Sequence, residues 1–196
     1  GSGNHRIVRR LRVSKALRAG RAEELYSVQS YLVTVSVTID IRAIEVGDDT
    51  LVDESWELKE RIRRAEGLLK QRRGFFTDAY RRSKVYALLE PGQNDSSLIG
   101  FAAARRDGYI LFLAIAPEYR GEGFGRRLVA AVADDHSSVT CHARATNESA
   151  LSFYKHLGFE IERQIESYYE DGGDAYYLRL GDGGLKSKLS RFVPGT

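Results

Sequence analysis

The alternation of apolar and polar residues changes its period along this chain, and each change marks a predicted element. From Val35 to Ile44 the two classes alternate singly, which is the pattern of a half-buried strand. From Thr50 to about Lys70 apolar positions recur at helical spacing, and a second helix is predicted around residues 75–79. Asp48 or Asp49 can cap the first helix. This part of the chain therefore predicts a strand followed by two helices.

Residues 85–180 predict six further strands and two helices, an order typical of an α/β fold with a central sheet. The stretch from Tyr109 to Ala116 is almost continuously apolar, so we expect this strand to be buried on both faces. Asn147 and Gly158 are placed to cap the second helix at its start and its end. The predicted strands are Val85–Leu89, Leu98–Ala104, Tyr109–Ala116, Val139–Ala143, Phe159–Tyr169 and Asp174–Leu180, and the helices are 123–135 and 148–157.

The chain of 196 residues has the composition of a globular domain, with 42% hydrophobic and 29% charged residues. No apolar run approaches the roughly 20 residues that a membrane-spanning helix needs. A single cysteine, Cys141, excludes an intramolecular disulfide and a cysteine-rich metal site. We therefore expect no metal, no membrane contact and a reducing, cytoplasmic setting. Cys141 itself is predicted to be buried packing and not a nucleophile.

The net charge of +3 is unevenly distributed. Residues 1–32 carry seven Lys or Arg and two acidic residues, whereas residues 33–196 carry 23 basic and 25 acidic ones. The positive charge therefore belongs to an N-terminal arm, and we expect no nucleic-acid partner. We predict a basic extension over 1–32, interpreted as solvated or vector-derived, one domain over 33–181 and a flexible tail over 182–196.

A glycine-rich loop connects the apolar strand to the next predicted helix. Gly121, Gly123 and Gly125 alternate there, with Arg120 before them and Arg126 after them. Glycines let the backbone bend and approach a ligand closely, and the first N–H groups of a helix point outward with positive potential. The loop therefore predicts a pyrophosphate site. Its spacing differs from that of a dinucleotide-binding G-x-G-x-x-G loop and of a Walker loop.

Two motifs carry a resemblance to a known family. R-G-E-G-F-G, residues 120–125, resembles the Q/R-x-x-G-x-G/A signature of the GNAT superfamily of N-acetyltransferases. Residues 147–159, N-E-S-A-L-S-F-Y-K-H-L-G-F, resemble its N-x-x-A-x-x-F-Y-x-x-x-G-F block. The resemblance covers about residues 35–180. It implies a central mixed, mostly antiparallel twisted sheet flanked by helices, with acetyl-CoA as co-substrate.

The resemblance also implies how the residues share the chemistry. The backbone of Leu113 and Ile115 would pair with the pantetheine arm, and the Ile115 N–H would polarise the thioester carbonyl. Tyr154 matches the tyrosine that protonates the leaving thiolate after direct attack by a neutral amine, with simple core packing as its alternative role. The expected cofactor-binding residues are Leu113, Ile115, Arg120, Gly121, Glu122, Gly123, Phe124, Gly125, Arg126 and Asn147.

Several residues compete for the role of the base that takes the amine proton. N-terminal acetyltransferases of the ribosomal-protein type carry a Glu two residues before an Arg, and His142 occupies that position before Arg144. Histidine titrates near neutrality, so His142 is a candidate base, with a structural role as the alternative. Glu118, Glu170 and Asp174 are the other candidates.

Segment 168–178, Y-Y-E-D-G-G-D-A-Y-Y-L, resembles the Y-Y-x-x-x-x-D-A-Y pattern of protein N-terminal acetyltransferases. By this resemblance Tyr168 or Tyr169 would bind the first residues of the acceptor, and Glu170 and Asp171 would attract its cationic amine. An edge hairpin rich in aromatic residues is the alternative. We expect an N-acetyltransferase for a protein N-terminus or lysine, acting as a monomer or homodimer. A small-molecule amine acetyltransferase and a non-catalytic acyl-CoA-binding module stay open.

Overall fold

The computed structural model describes residues 5–12, 32–92 and 96–181. The predicted tail and most of the predicted extension lie outside these residues, so the division into extension, domain and tail stays a prediction. The strands are β1 (His5–Arg12), β2 (Leu32–Ile44), β3 (Lys84–Pro91), β4 (Ser96–Ala104), β5 (Tyr109–Ile115), β6 (Thr140–Arg144), β7 (Phe159–Ile165) and β8 (Ala175–Leu180). The helices are α1 (Val52–Glu66), α2 (Arg73–Arg81), α3 (Phe124–Asp135) and α4 (Glu148–Leu157), with a short 3-10 helix at Pro117–Tyr119.

The strands form one sheet in the order β1-β2-β3-β4-β5-β6-β8-β7. β5 and β6 pair in parallel, and the other described pairs are antiparallel. The prediction of a mixed, mostly antiparallel central sheet flanked by helices is confirmed. The sequence pattern does not predict β1, because residues 5–12 lack a regular alternation; this strand pairs through its backbone with the first part of β2.

Helices cover both faces of the sheet. Phe76 on α2 contacts Phe101 on β4 and Phe112 on β5, with ring centroids 6.0 and 4.9 Å apart. Ile115 stands three residues further along β5 and points to the opposite face, where it approaches α3 at Gly125. Therefore α1 and α2 cover one face, while α3 and α4 cover the other. None of the helices in the described ranges is long and apolar enough to cross a membrane.

The burial of β5 differs from the prediction. Ile110, Phe112 and Ala114 are buried, but they alternate with half-buried residues that include Leu113 and Ile115. The expectation of a strand buried on both faces was wrong. Phe112 and Ala114 pack on the face that α1 and α2 cover, whereas Leu113 and Ile115 lie half-buried on the face that α3 and α4 cover.

A bulge near the start of β5 changes the direction of its side chains. Ala103 pairs with Phe112, but the next residue of β4, Ala104, pairs with Ile110, so β5 holds one extra residue between them. Neighbouring residues of β4 face opposite ways, and hence Phe112 and Ile110 also face opposite ways. Tyr109 therefore shares the face of Phe112, which α1 and α2 cover.

Gly108, which directly precedes β5, and Gly47, which follows β2, have similar φ angles but different surroundings. Gly108 (φ +79°) and Gly47 (φ +91°) both adopt a conformation that costs other residues about 1–2 kcal/mol. A Cβ on Gly108 would also lie 1.9 Å from the Ser138 carbonyl oxygen, whereas nothing lies within 4 Å of a Cβ on Gly47.

We expect Gly108→Ala to lower the free energy of unfolding by about 2–5 kcal/mol, and Gly47→Ala to lower it by only about 1–2 kcal/mol. Denaturant unfolding of both variants measures the difference. Equal losses would contradict a tight contact between Gly108 and Ser138.

Candidate active site

β5 and β6 make a short parallel contact and leave a gap beyond it. Within the described ranges they pair only at Tyr109 with Thr140 and at Ile110 with Cys141, although β5 continues to Ile115. Such an opening inside a sheet exposes backbone groups that an unbroken ladder would satisfy. The gap is therefore a place where a ligand can complete the hydrogen bonding of the sheet.

Some backbone N–H and C=O groups of β5 point into the gap and not towards β4. The Ala116 N–H donates to the Ile99 carbonyl (2.8 Å), so these two residues form a hydrogen-bonded pair across β4 and β5. Such pairs alternate along antiparallel strands, so the N–H and C=O groups of Ile115 and Leu113 point away from β4. They face the gap, where the sequence analysis expects the pantetheine arm.

The glycine-rich loop has the backbone that its sequence predicts. Gly121 and Gly123 have φ of +81° and +80°, a conformation that favours glycine. Nothing lies within 4 Å of a Cβ placed on Gly121, so this part of the loop is open. The Arg127 N–H bonds to the Gly123 carbonyl, and the N–H groups of Phe124 and Gly125 precede this first helical bond. These donors and the α3 dipole suit an anion.

The arginines around the loop differ in their surroundings. Arg120 Nη1 bonds to the carboxylate of Glu66 (2.7 Å), and its Nε donates to the Ile115 carbonyl. Its backbone N–H donates within the 3-10 helix (3.3 Å), so that amide is already engaged. Arg126 Nη2 lies 3.6 Å from a Cβ placed on Gly123, close to the loop, and Glu122 is exposed. Arg126 thus lies beside the loop, whereas Glu66 and the Ile115 carbonyl hold the side chain of Arg120.

Gly125 packs where a larger residue would push into the loop. A Cβ there would lie 3.0 Å from the Phe153 ring and 4.0 Å from Ile115. We expect Gly125→Val to weaken acetyl-CoA binding by about tenfold, because the added methyls displace the start of α3. Titration calorimetry measures this, with Gly74→Ala as the control, since nothing lies within 4 Å of a Cβ on Gly74. Unchanged binding by Gly125→Val would contradict a role of the loop in holding the cofactor.

Tyr154 lies under the gap on the α3–α4 face. Its side chain is 8% exposed, and its ring packs against Phe153 and Phe159. Burial, and then the neighbouring Cys141, raise the pKa of the Tyr154 hydroxyl well above its usual value. Burial also raises the pKa of the Cys141 thiol to about 12. Cys141 is therefore protonated and buried, in agreement with its predicted packing role.

His142 lies on the opposite face, in contact with Tyr109. It stands two positions beyond Thr140, the register partner of Tyr109, so both side chains share the face that α1 and α2 cover. His142 Nδ1 lies 2.7 Å from Tyr109 Oη. Its Nε2 is buried and has no hydrogen-bond partner among the described residues. When Nδ1–H donates to Tyr109, Nε2 carries the free lone pair that a base requires.

Aromatic rings enclose the His142 imidazole. Tyr168 stacks on it, with centroids 4.4 Å apart and planes 12° apart, and Tyr177 lies at 5.0 Å. Burial, and then the positive charge of Arg163, lower the pKa of His142. Burial, and then the Tyr168 phenol, raise the pKa of Tyr109. The imidazole is therefore neutral and the phenol protonated at neutral pH.

Comparison with known proteins identifies a domain that contains part of this arrangement. Residues 82–161 match the family model of the acetyltransferase (GNAT) domain. The chain carries a GNAT acetyltransferase domain. N-alpha-acetyltransferase 30 of Xenopus laevis is 40% identical over 80 residues, which are 38% of this chain and 29% of that protein. N-alpha-acetyltransferase RimI of Mycobacterium tuberculosis is 30% identical over 101 residues, which are 46% of this chain and 64% of that protein.

The chain thus spans less than two thirds of the length of either relative. A solved structure shares the fold of the GNAT domain. The crystal structure of the ribosomal-protein-S18-alanine N-acetyltransferase from Escherichia coli aligns with a TM-score of 0.59 and 22% identity, over 72% of this chain and 92% of that one.

The other predicted bases of the GNAT domain have different surroundings. Glu118 forms an exposed ion pair with Arg61 (3.1 Å). Asp174 accepts hydrogen bonds from the Ser167 N–H and from Gln164, which tie down the loop between β7 and β8. Glu170 is exposed on that loop. Neither Glu118 nor Asp174 is free to accept a proton in the way that His142 Nε2 is.

Asn147 caps α4 in the GNAT domain as predicted. Its side-chain oxygen accepts a hydrogen bond from the Ala150 N–H (3.1 Å), and Gly158 ends the helix with φ of +94°. Because this oxygen is engaged, the expected contact of Asn147 with a cofactor arm would use its amide nitrogen. That contact stays a prediction.

Tyr109 is a site residue that the sequence analysis missed. In a strictly alternating strand Tyr109 and Phe112, which are three positions apart, would face opposite sides of the sheet. The bulge in β5 adds one residue and brings both side chains to the same face. No pattern in the sequence marks the bulge, because residues 109–116 are almost uniformly apolar. Only the register of β5 against β4 and β6 brings Tyr109 to His142.

Proposed function

We propose that this chain transfers the acetyl group of acetyl-CoA to the α-amino group of a protein N-terminus. The observation that carries the proposal is the gap between β5 and β6, with Tyr154 on one face and the His142–Tyr109 pair on the other. A donor held beside α3 and an amine arriving from the α1–α2 side would meet there. The similarity to N-alpha-acetyltransferases supports a peptide N-terminus as the acceptor.

The residues of the loop and the gap fit acetyl-CoA. The N–H groups of Phe124 and Gly125 and the open space beside Gly121 suit a pyrophosphate. The outward-facing N–H and C=O of Leu113 and the N–H of Ile115 offer donors and an acceptor to the amides of a pantetheine arm, while the Ile115 carbonyl already accepts from Arg120 Nε. When bound, acetyl-CoA supplies an acetyl group activated as a thioester.

The chain's own residues supply the polarisation and the proton transfers. His142 Nε2 accepts the proton of the attacking amine, while Tyr109 holds the opposite ring nitrogen. The Ile115 N–H donates to the carbonyl oxygen as negative charge grows on it. Tyr154 donates its hydroxyl proton to the departing sulfur. The amine attacks directly, and Cys141, buried and protonated, takes no part.

The loop between β7 and β8 would receive the acceptor. Tyr168 stacks on His142 and Tyr169 packs against Tyr168, while Glu170 is exposed beside them, where its carboxylate attracts a cationic N-terminus. A reducing, cytoplasmic setting, as expected from the single cysteine, would place the enzyme among newly made protein N-termini.

A panel of matched amines tests this proposal. The first peptide has a free α-amine and no lysine, and the second has a blocked α-amine and one lysine; a polyamine completes the panel. CoA release and mass spectrometry of each acceptor report the transfer. We expect acetylation of the free α-amine and none of the blocked peptide.

Other outcomes of the panel identify the alternatives. Turnover on lysine alone or on the polyamine alone would overturn the N-terminal acceptor. Tight acetyl-CoA binding without turnover on any amine would favour an acyl-CoA-binding module. An absence of acetyl-CoA binding would contradict the assignment of the glycine-rich loop.

A further inference from the structure

The side chain of Arg144 packs against the loop between β7 and β8. It follows His142 by two positions on β6, so both side chains lie on the same face of the sheet. Its guanidinium carbon lies 4.0 Å from the centre of the Tyr169 ring, a close cation–π contact. Its Nη1 also donates to Asp171 Oδ1 (2.9 Å). Arg144 thus contacts two residues of the loop over residues 166–174, here called the acceptor loop.

Asp171 gathers three donors at the tip of the acceptor loop. Besides Arg144, Lys70 bonds to Oδ2 (3.2 Å) and the Gly173 N–H bonds to Oδ1 (3.2 Å). The hydrogen bond from Arg144, then that from Lys70 and then that from the Gly173 N–H hold the pKa of Asp171 below its usual value. Lys70 lies between α1 and α2, so the carboxylate also joins the two segments that border the acceptor side of the gap.

The same contacts continue from the acceptor loop to the base. The rings of Tyr169 and Tyr168 meet edge to face at 5.0 Å, and Tyr168 stacks on His142. A Cβ on Gly173 would lie 2.1 Å from Arg144 Nη1, so the guanidinium occupies the space that a side chain there would take. Arg144, Tyr169, Tyr168 and His142 therefore form a continuous set of contacts.

We propose that Arg144 and Asp171 are positioning residues that clamp the acceptor loop over His142. The clamp keeps Tyr168 stacked on the imidazole and excludes water from the ring before the acceptor arrives. The proposal rests on the base role of His142 in the proposed function, but the position of the loop is measurable without any substrate.

The imidazole itself reports whether the clamp is closed. The groups that face His142 are Tyr109 on β5, Tyr177 on β8, Arg163 on β7 and Tyr168 in the acceptor loop. Of these contacts, only that with Tyr168 depends on the clamp. Release of the loop would expose the ring to water, which favours the charged form and raises the pKa of His142.

Two variants open the clamp in different ways. Asp171→Asn removes the carboxylate from an exposed position, and Arg144→Lys keeps the charge but loses the planar fork that spans Tyr169 and Asp171. Loss of a negative charge alone would lower the pKa of a nearby histidine, so a rise in Asp171→Asn reports release of the loop. The matched control is Glu162→Gln. Glu162 on β7 is also exposed and forms an ion pair with Arg179 on β8, so this variant likewise removes an ion-paired carboxylate.

NMR titration of the histidine side chains, with His142 assigned by its loss in His142→Gln, measures the effect without substrate. We expect an upward shift of the His142 titration in Asp171→Asn and in Arg144→Lys, and none in Glu162→Gln. An unchanged or lowered titration in folded Asp171→Asn and Arg144→Lys would overturn the clamp.

Kinetics give a second readout. In both clamp variants we expect KM for the acceptor to rise by about threefold to tenfold, and the acidic limb of kcat/KM to move to higher pH. An unchanged KM and an unmoved limb would also overturn the clamp. If the wild-type chain does not turn over, the proposed function fails, while the titration still decides the clamp.

Discussion

Replacing His142 with Gln is expected to lower kcat/KM for the acceptor by about 10²–10⁴-fold. The glutamine amide can still hydrogen-bond to Tyr109, but it cannot accept a proton at neutral pH. The incoming amine then has no neighbouring base in the enclosed site. Acetyl-CoA would bind on the other face of the sheet, so its dissociation constant should not change. Steady-state kinetics and calorimetry on one preparation separate the two effects.

The pH dependence of kcat/KM tests whether His142 is the base. Burial, and then Arg163, lower its pKa from the usual value of 6.5, so the neutral ring predominates at neutral pH. We expect kcat/KM to fall as the pH drops through that lowered pKa, because protonated Nε2 cannot accept a proton. The acidic limb should be absent in His142→Gln. If His142→Gln keeps the acidic limb of kcat/KM and most of the wild-type rate, another group is the base.

Replacing Tyr154 with Phe is expected to lower kcat by about 10²–10³-fold with little change in acetyl-CoA binding. The phenylalanine ring fills the same space between Phe153 and Phe159, so the fold should persist. The change removes only the hydroxyl that would protonate the departing sulfur. Its raised pKa keeps that hydroxyl protonated across the working pH range.

The matched control for Tyr154→Phe is Tyr86→Phe. Tyr86 is also buried with a raised pKa, but its hydroxyl donates to Asp135 (2.7 Å) at the end of α3. Tyr86→Phe should cost about 1 kcal/mol of stability through the lost hydrogen bond and leave kcat unchanged. Equal rates for Tyr154→Phe and the wild type, in an assay limited by chemistry, would assign Tyr154 to core packing.

Most features with local signals in the sequence were predicted well, but the cap of the first helix was not: Leu51 precedes α1 and no side chain of Asp48 or Asp49 caps it. The glycines at 121 and 123 have positive φ, and Asn147 and Gly158 cap α4. Each of these depends on residues within one turn of the chain, so the sequence of that segment contains the information. The order of strands and helices follows from hydrophobic periodicity for the same reason, and the family resemblance supplied the arrangement of the sheet.

Features that depend on register or on distant partners were not predicted. Tyr109 reaches His142 because of a bulge inside a uniformly apolar strand. Arg144 meets Asp171 across 27 positions of sequence, and Lys70 meets it across 101. Such contacts arise from the three-dimensional path of the chain, so periodicity and motif spacing do not contain them.

A single-turnover experiment tests the central claim, the direct meeting of donor and amine across the gap. The chain with bound acetyl-CoA is mixed with a peptide that has a free α-amine, quenched at short times and analysed by intact mass spectrometry of both chains. Direct attack predicts that the acetyl group moves from acetyl-CoA to the peptide α-amine, with none on the protein at any time. An acetyl group that first accumulates on the protein, at Cys141 or elsewhere, and then passes to the peptide would contradict the account.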